Sequence, residues 1–309
     1  MSIINICHDF KYGRIIYNAR DRYIGRSLAV YGEYSHNEAE LYRQLLRSGD
    51  TVIEAGANMG SLTIPLARFV GESGKVIAFE PQRLIFQILA GNAAINSLVN
   101  VYAYNKGVGA TCGTIVIDDP KEFCPDINTG GVKLTAAAAG YEVDIITLDS
   151  LGTEKCALLK IDCEGMERDV LAGGRQLINR CRPIIYIERN EDCRELLREY
   201  GYQIYRHDVP LFSEENYFGN RKNLFIEPSS TPEGKFVQDG HLHSFNWLCV
   251  PEEKRSGSQA FRPSADGQTD QATKRQQRDN KAKKARAQKA AAHGCAAKQE
   301  AEAWTMKKA

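Results

Sequence analysis

Thr51-Val52-Ile53-Glu54-Ala55-Gly56-Ala57-Asn58-Met59-Gly60 runs a short strand into a glycine-bearing turn, and apolar residues at 62, 64, 66, 67 and 70 then repeat at helical spacing. Gly56 and Gly60 allow a tight turn and leave room for a ligand against the backbone. A dinucleotide fingerprint would place glycines two and five residues after the first, where Asn58 and Ser61 stand. A pyrophosphate cradle is therefore disfavoured, and an ordinary strand-to-helix connection is the plain alternative.

Working outward, Val76-Ile77-Ala78-Phe79-Glu80 reads as the next strand. Glu80 lies 20 residues after Gly60. In a doubly wound sheet that position faces the crevice of the first turn, and a carboxylate there accepts both hydroxyls of a ribose. Helices are expected over 38–47, about 82–95, 167–178 and about 191–199. Further strands are expected near 101–104, over 157–162, 184–188 and 202–205, and at 245–250, with a hairpin-like pair around 109–113. Strands separated by helix-length segments mean a parallel α/β sheet with helices on both faces.

Acids gather at the expected carboxyl ends of these strands: Glu54, Glu80, Asp162 and Glu164, with Glu188 at the end of the next strand. Such a crevice favours a cationic nucleoside without phosphate and repels the diphosphate of NAD. S-adenosylmethionine is a ligand of that kind. Lys160 and Asp162 could equally be a neutralised ion pair, and Glu167 a helix-start acid favoured by the dipole. Acids at 162, 164 and 167 could in principle hold a hard cation, but no His or Asn completes an evident shell, and no metal is expected.

Composition bounds the rest. With 309 residues, 43% hydrophobic and 26% charged, the chain suits a soluble globular protein of one large or two small domains. The formal charge of +1 hides an asymmetry: residues 256–309 carry 12 Lys/Arg against 5 Asp/Glu, net +7, leaving the remainder at −6. Nine cysteines with no C-x-x-C pair imply neither a disulfide framework nor structural zinc, and suggest reduced thiols in a cytoplasmic setting. The opening residues lack a signal-peptide pattern, and no apolar run approaches the roughly 18 residues of a membrane span. The expected organisation is an extension with a leading helix over 1–50, a catalytic domain over 51–255 with a lid-like insertion at 209–244, and a basic low-complexity tail over 256–309, read as disordered or transiently helical.

Four motifs now stand in order: 54–63, Ala78-Phe79-Glu80-Pro81, 143–150 and Leu158-Leu159-Lys160-Ile161-Asp162-Cys163-Glu164-Gly165. Together they resemble the FkbM-type methyltransferases, from about residue 17 to 251. The resemblance implies a class I methyltransferase fold, Rossmann-like, with a seven-stranded, mostly parallel sheet whose last strand is antiparallel. It also implies S-adenosylmethionine as methyl donor and a hydroxyl of a sugar, glycan or polyketide-like metabolite as acceptor. Carried over by position, Glu54, Gly56, Asn58 and Gly60 would hold the methionine end and Glu80 the ribose. The acidic motif falls on Asp162, Glu164 and Gly165; Cys163 departs from the more usual Val. Glu33 and Tyr34 would lie near the cofactor.

Methyl transfer to oxygen is an in-line displacement, so positioning dominates and a base takes the hydroxyl proton. Asp162 is the first candidate for base or orienting group, then Glu164, with Lys160 tuning either. His36, His207, His241 and His243 are further candidates. Within the insertion, Asn216, Tyr217, Phe218, Asn220, Asn223, His241 and His243 are expected to cover the acceptor. An NAD-linked oxidoreductase is the competing enzyme class. A nucleic-acid-binding module working through the basic tail is the non-enzymatic alternative, weakened by the absence of interleaved aromatic residues over 274–289.

Overall fold

The computed structural model describes residues 5–117, 128–131, 140–225, 237–238 and 241–255. The chain divides into two units, Met1–Gly257 and Ser258–Ala309. The second, and with it the basic tail, lies outside the described residues.

The centre of the first unit is built from strands the sequence marks as buried on both faces. β3 (Thr51–Ala55), β4 (Lys75–Phe79), β5 (Val101–Tyr104), β9 (Leu158–Ile161) and β10 (Ile184–Glu188) run parallel. β11 (Tyr202–Pro210) and β13 (His241–Pro251) complete a seven-strand order β11-β13-β10-β9-β3-β4-β5, and the short β12 (Val237–Gln238) pairs with β13. β13 lies antiparallel between β10 and β11. This is the sheet the resemblance implied, and its antiparallel strand is longer at its N-terminal end than the sequence suggested. Leu158, Leu159 and Ile161 are wholly buried, each contributing about 1.5–3 kcal/mol by leaving water.

Helices cover both faces: α2 (His36–Leu45), α3 (Thr63–Val70) and α4 (Arg83–Ile95), then α5 (Glu167–Ala172), α6 (Arg175–Cys181) and α7 (Arg194–Glu199). The expected helix over 167–178 is in fact two, because Gly173 packs so closely on the carbonyl of Gly109 that a Cβ there would collide with it. Asp149 then accepts from the amides of Gln176 and Leu177 and starts the second helix afresh.

A three-stranded sheet stands beside the main one, with β8 (Tyr141–Ile146) between β6 (Gly107–Val108) and β7 (Gly113–Ile117). The N-terminal extension holds elements that the sequence reading did not name: β1 (Asn5–Phe10) and β2 (Gly13–Asn18) form a hairpin, and α1 (Ile24–Tyr31) follows. Two amides on α4 hold that hairpin. Asn92 exchanges hydrogen bonds with the backbone of Ile16 and Asn96 with that of Arg14. No helix among the described residues is long and apolar enough to cross a membrane.

Candidate functional site

The carboxyl ends of β3, β4, β9 and β10 open into one cleft of about 400 Å3, where open α/β sheets bind ligands. Of the residues expected from the sequence, Glu54, Gly56, Asn58, Glu80, Lys160, Asp162 and Glu164 line it; Gly60 does not. Both glycines have left-handed backbones, φ +83° at Gly56 and +87° at Gly60. Their close neighbours are protein. A Cβ on Gly56 would collide with the carbonyl of Asp162, and one on Gly60 would meet a methyl of Leu89 at 2.8 Å. These glycines let the exit of β3 cross the exit of β9 and let the turn before α3 lie against Leu89 of α4.

Glu80 is buried at the mouth of the turn. One carboxylate oxygen accepts the Asn58 N–H and the other the Gln82 N–H, both at 2.9 Å. Burial raises its pKa to about 7 against the pull of those hydrogen bonds. Each oxygen keeps a lone pair for a further donor. The Asn58 amide, which a dinucleotide turn would offer to a phosphate, is thereby committed to a carboxylate.

Glu54 and Lys160 are register neighbours on β3 and β9. Thr63 donates its hydroxyl to Glu54 Oε2 at 2.6 Å. Lys160 Nζ lies 3.6 Å from Glu54 Oε1 and 3.4 Å from Asp162 Oδ2. Burial alone would lower the Lys160 pKa; the carboxylates of Asp162, Glu54 and Glu38 outweigh it and hold the ammonium charged. Burial raises the Glu54 carboxyl. At 3.6 Å the ion pair is too long for a hydrogen bond, and among the described residues no donor reaches Glu54 Oε1, a buried oxygen of a residue in the wall of the cleft.

Glu188 closes the acidic rim. Its carboxylate oxygen and those of Asp162 and Glu164 lie within 4.8 Å of one another. Burial, then the charges of Asp162, Glu164 and Glu167, raise its pKa to about 9, with Lys160 pulling the other way. Glu167 itself stands apart: it accepts from the amides of Cys163 and Gly165 and from the side chain of Asn190. That is the helix-start role the dipole favours.

The roof comes from residues to which the sequence reading assigned no role. Asp21, 2% exposed, accepts at Oδ1 from the amides of Tyr23 and Gly25 and at Oδ2 from the amide and hydroxyl of Thr129. This knot sets Tyr23, Ile24 and residues 128–131 over the cleft, and Gln82 adds a bond to the Thr129 carbonyl. A buried Asp followed by Gly25, at a helix start, was the available signal.

Other expectations need correction. Tyr34 lines the cleft; Glu33 does not, because it pairs with Lys11 at 2.9 Å and accepts the Tyr217 amide. From the 209–244 insertion the cleft receives Leu211, Leu242, His243 and Ser244. Asn216 is turned to its own loop, bonding Ser213 and Asn220, while Tyr217 and Phe218 pack beside Gly32. Residues 226–236 lie outside the described residues, as does the side chain of His241. His36 is half-buried against the Tyr12 hydroxyl, its pKa lowered to about 4 mainly by desolvation, and His207 is bonded to Tyr186. Of the four histidines proposed, His243 alone is placed on the cleft wall among the described side chains.

Comparison with known proteins covers a shorter span than the resemblance read from the sequence. Residues 54–204 match the family model described as the methyltransferase FkbM domain. The chain is 26% identical over 164 residues to Methyltransferase sdnD of Sordaria araneosa, covering 41% of this chain and 61% of that relative. It is 27% identical over 143 residues to Methyltransferase 1 of Beauveria bassiana, covering 40% and 57%. The chain thus spans about three-fifths of the length of these curated relatives. The crystal structure of a methyltransferase FkbM from Methylobacillus flagellatus KT aligns over 55% of this chain and 47% of that one, at 19% identity and a TM-score of 0.38.

Proposed function

The chain belongs to the FkbM methyltransferase family, and from that premise we propose that it transfers a methyl group from S-adenosylmethionine to a hydroxyl of a sugar, glycan or polyketide-like metabolite. The observation that carries the reading is the clasp of Glu80 on the Asn58 amide. It turns the strand-end turn from a phosphate site into a site for neutral hydroxyls and positive charge.

The residues present fit such a donor. The donorless Oε1 of Glu54 suits the ammonium of the methionine end, and Glu80 suits the ribose hydroxyls. When bound, the donor supplies an electrophilic methyl group on a sulfonium. The chain's own part is to orient: Lys160 holds Asp162 in place, and Asp162 and Glu164 set the acidic rim toward the acceptor. His243, Ser244 and Phe245 of β13 form the facing wall, a polar and aromatic surface suited to a hydroxylated acceptor.

An NAD-linked reaction on the same sheet is disfavoured by the same clasp and by the acids around it. Calorimetric titration tests the choice: S-adenosylhomocysteine should bind and NAD should not, and the reverse result would reject the proposal. Incubation with labelled S-adenosylmethionine and a cell extract, followed by mass spectrometry, should place the label on an oxygen of a small or glycan acceptor. Removing residues 256–309 should leave that transfer intact; its loss would favour a role for the basic tail.

A further inference from the structure

Tyr34 lies between α1 and α2, half-buried on the cleft wall, and its ring packs against the apolar cluster that includes Leu28 and Met59. Among the described residues its hydroxyl makes no hydrogen bond. Both of its neighbours in the chain are pinned. Glu33 pairs with Lys11, and its carbonyl accepts the Ser27 hydroxyl at 2.7 Å. Ser35, left-handed at φ +47°, donates its hydroxyl to Glu38 at 2.6 Å. The direction of the Tyr34 ring is thus set by the backbone before any ligand arrives.

The charges that act on the hydroxyl are acidic: Glu38 from α2, Asp162 and Glu164 from the loop after β9, and Asp21 from the roof. Burial first, then these charges, hold the phenol well above its ordinary range, so it keeps its proton and remains a donor. Three other donors on the wall are already committed: Lys160 to Glu54 and Asp162, Lys106 to Asp144, and the Gln82 side chain to the Thr129 carbonyl. Tyr34 therefore offers a fixed O–H beside the acids that face the acceptor.

We propose that Tyr34 donates a hydrogen bond to the acceptor atom and thereby restricts methyl transfer to oxygen. The inference rests on the methyltransferase reading above and deepens it. A hydroxyl oxygen carries two lone pairs, so one accepts from Tyr34 while the other attacks the methyl carbon. A neutral amine has a single lone pair, and a donor that engages it blocks the attack. In the transfer the oxygen–carbon bond forms as the carbon–sulfur bond breaks, its electron pair passes to sulfur, and the hydroxyl proton passes to the Asp162 carboxylate. The Tyr34 proton stays on the phenol throughout. With one lone pair held by Tyr34 and the proton held by Asp162, the remaining lone pair has a single direction in which to react.

Tyr34→Phe in the whole chain tests this, because the ring and its packing are kept. The labelled-extract assay gives the acceptor; parent and variant are then compared on that molecule and on its amine analogue, with –NH2 in place of the methylated –OH. By calorimetry the variant should bind S-adenosylhomocysteine within about three-fold of the parent, while kcat/KM on the hydroxyl falls by about 10-fold, the worth of one hydrogen bond. On the amine it should hold or gain, moving the ratio of the two about 10-fold or more toward nitrogen. Amine protonation is the same for both proteins and cancels in that comparison. Label on nitrogen with the parent chain, or the same ratio in both proteins, would overturn the inference. So would an unchanged ratio with S-adenosylhomocysteine bound about 10-fold more weakly, which would assign the phenol to the methionine carboxylate. Failure of the parent chain to bind S-adenosylhomocysteine, or to label any component of the extract, would instead reject the methyltransferase reading itself.

Discussion

Lys160 Nζ lies 3.6 Å from Glu54 Oε1 with both side chains almost completely buried, at 4% and 1% exposure. A charge pair this deep in a parallel sheet is costly to desolvate and more costly to break, because the survivor stays buried without its partner. Lys160→Met should therefore destabilise the protein by about 3–5 kcal/mol, read as a lowered midpoint in urea. Adding Glu54→Gln to that variant should recover part of the loss. A double variant no more stable than Lys160→Met would show that the two charges are not coupled.

Glu80 gives a pH signature. Its carboxyl sits at about 7 in the ligand-free protein, above the ordinary carboxylate value of about 4.3. Below about pH 7 the neutral acid offers fewer acceptors to a ribose, so S-adenosylhomocysteine should bind more tightly as pH rises from about 6 to about 8. The ligand-free fold shows the opposite sign: a group raised on folding stabilises at low pH and loses that contribution as pH passes the folded value. Glu80→Ala or Glu80→Gln should weaken binding by about 10–100-fold, the loss of charge-assisted hydrogen bonds, and flatten its pH dependence. Titration calorimetry at several pH values checks both.

Asp162→Asn should slow turnover by about 10-fold while changing cofactor affinity much less. It also removes one like charge from beside Glu188, so the Glu188 carboxyl should titrate at lower pH. An unchanged Glu188 titration, followed by NMR, would separate the two groups.

The knot at Asp21 makes a structural forecast. Four donors converge on this buried carboxylate, and Asp21→Ala leaves them facing an apolar methyl. Unsatisfied buried donors cost about 1–3 kcal/mol each when no water reaches them. Hydrogen exchange should accelerate at Tyr23, Gly25 and Thr129 first, with weaker binding of S-adenosylhomocysteine. Protection unchanged at those three amides would remove Asp21 from this role.

The sheet was legible because its strands are short apolar runs ending in charged groups, and a run such as 158–161 has no stable alternative to burial between two neighbours. The acidic rim was legible for the same reason: Glu54, Glu80, Asp162 and Glu188 all end strands, and the ends of parallel strands converge. What escaped depends on partners far away in the chain. Gly173 breaks a helix because Gly109 presses on it, and nothing local to 167–178 records that contact. Asn216 looked like a ligand-binding amide until its own loop accounted for its bonds. The hairpin at 5–18 alternates as a strand pair should, with Ile15 and Tyr17 buried, but its anchors are Asn92 and Asn96 on α4. Of the expected pair Glu33 and Tyr34, only Tyr34 lines the cleft; Glu33 is drawn away by Lys11 and the Tyr217 amide, partners that no local pattern records.

The position of β13 between β10 and β11 constrains the order in which a ribosome can deliver a working protein. β10 and β11 emerge early and are joined through α7, yet they must wait about two strand spacings apart, roughly 9–10 Å, for a wedge that emerges some thirty residues after β11 ends. Until then two strand edges stand open with their backbone N–H and C=O groups unpaired, and the wall bearing His243 and Phe245 does not exist. The nascent chain is consequently most exposed to self-association just before it acquires the means to hold a ligand, and a chaperone that shields that slot would act in this interval.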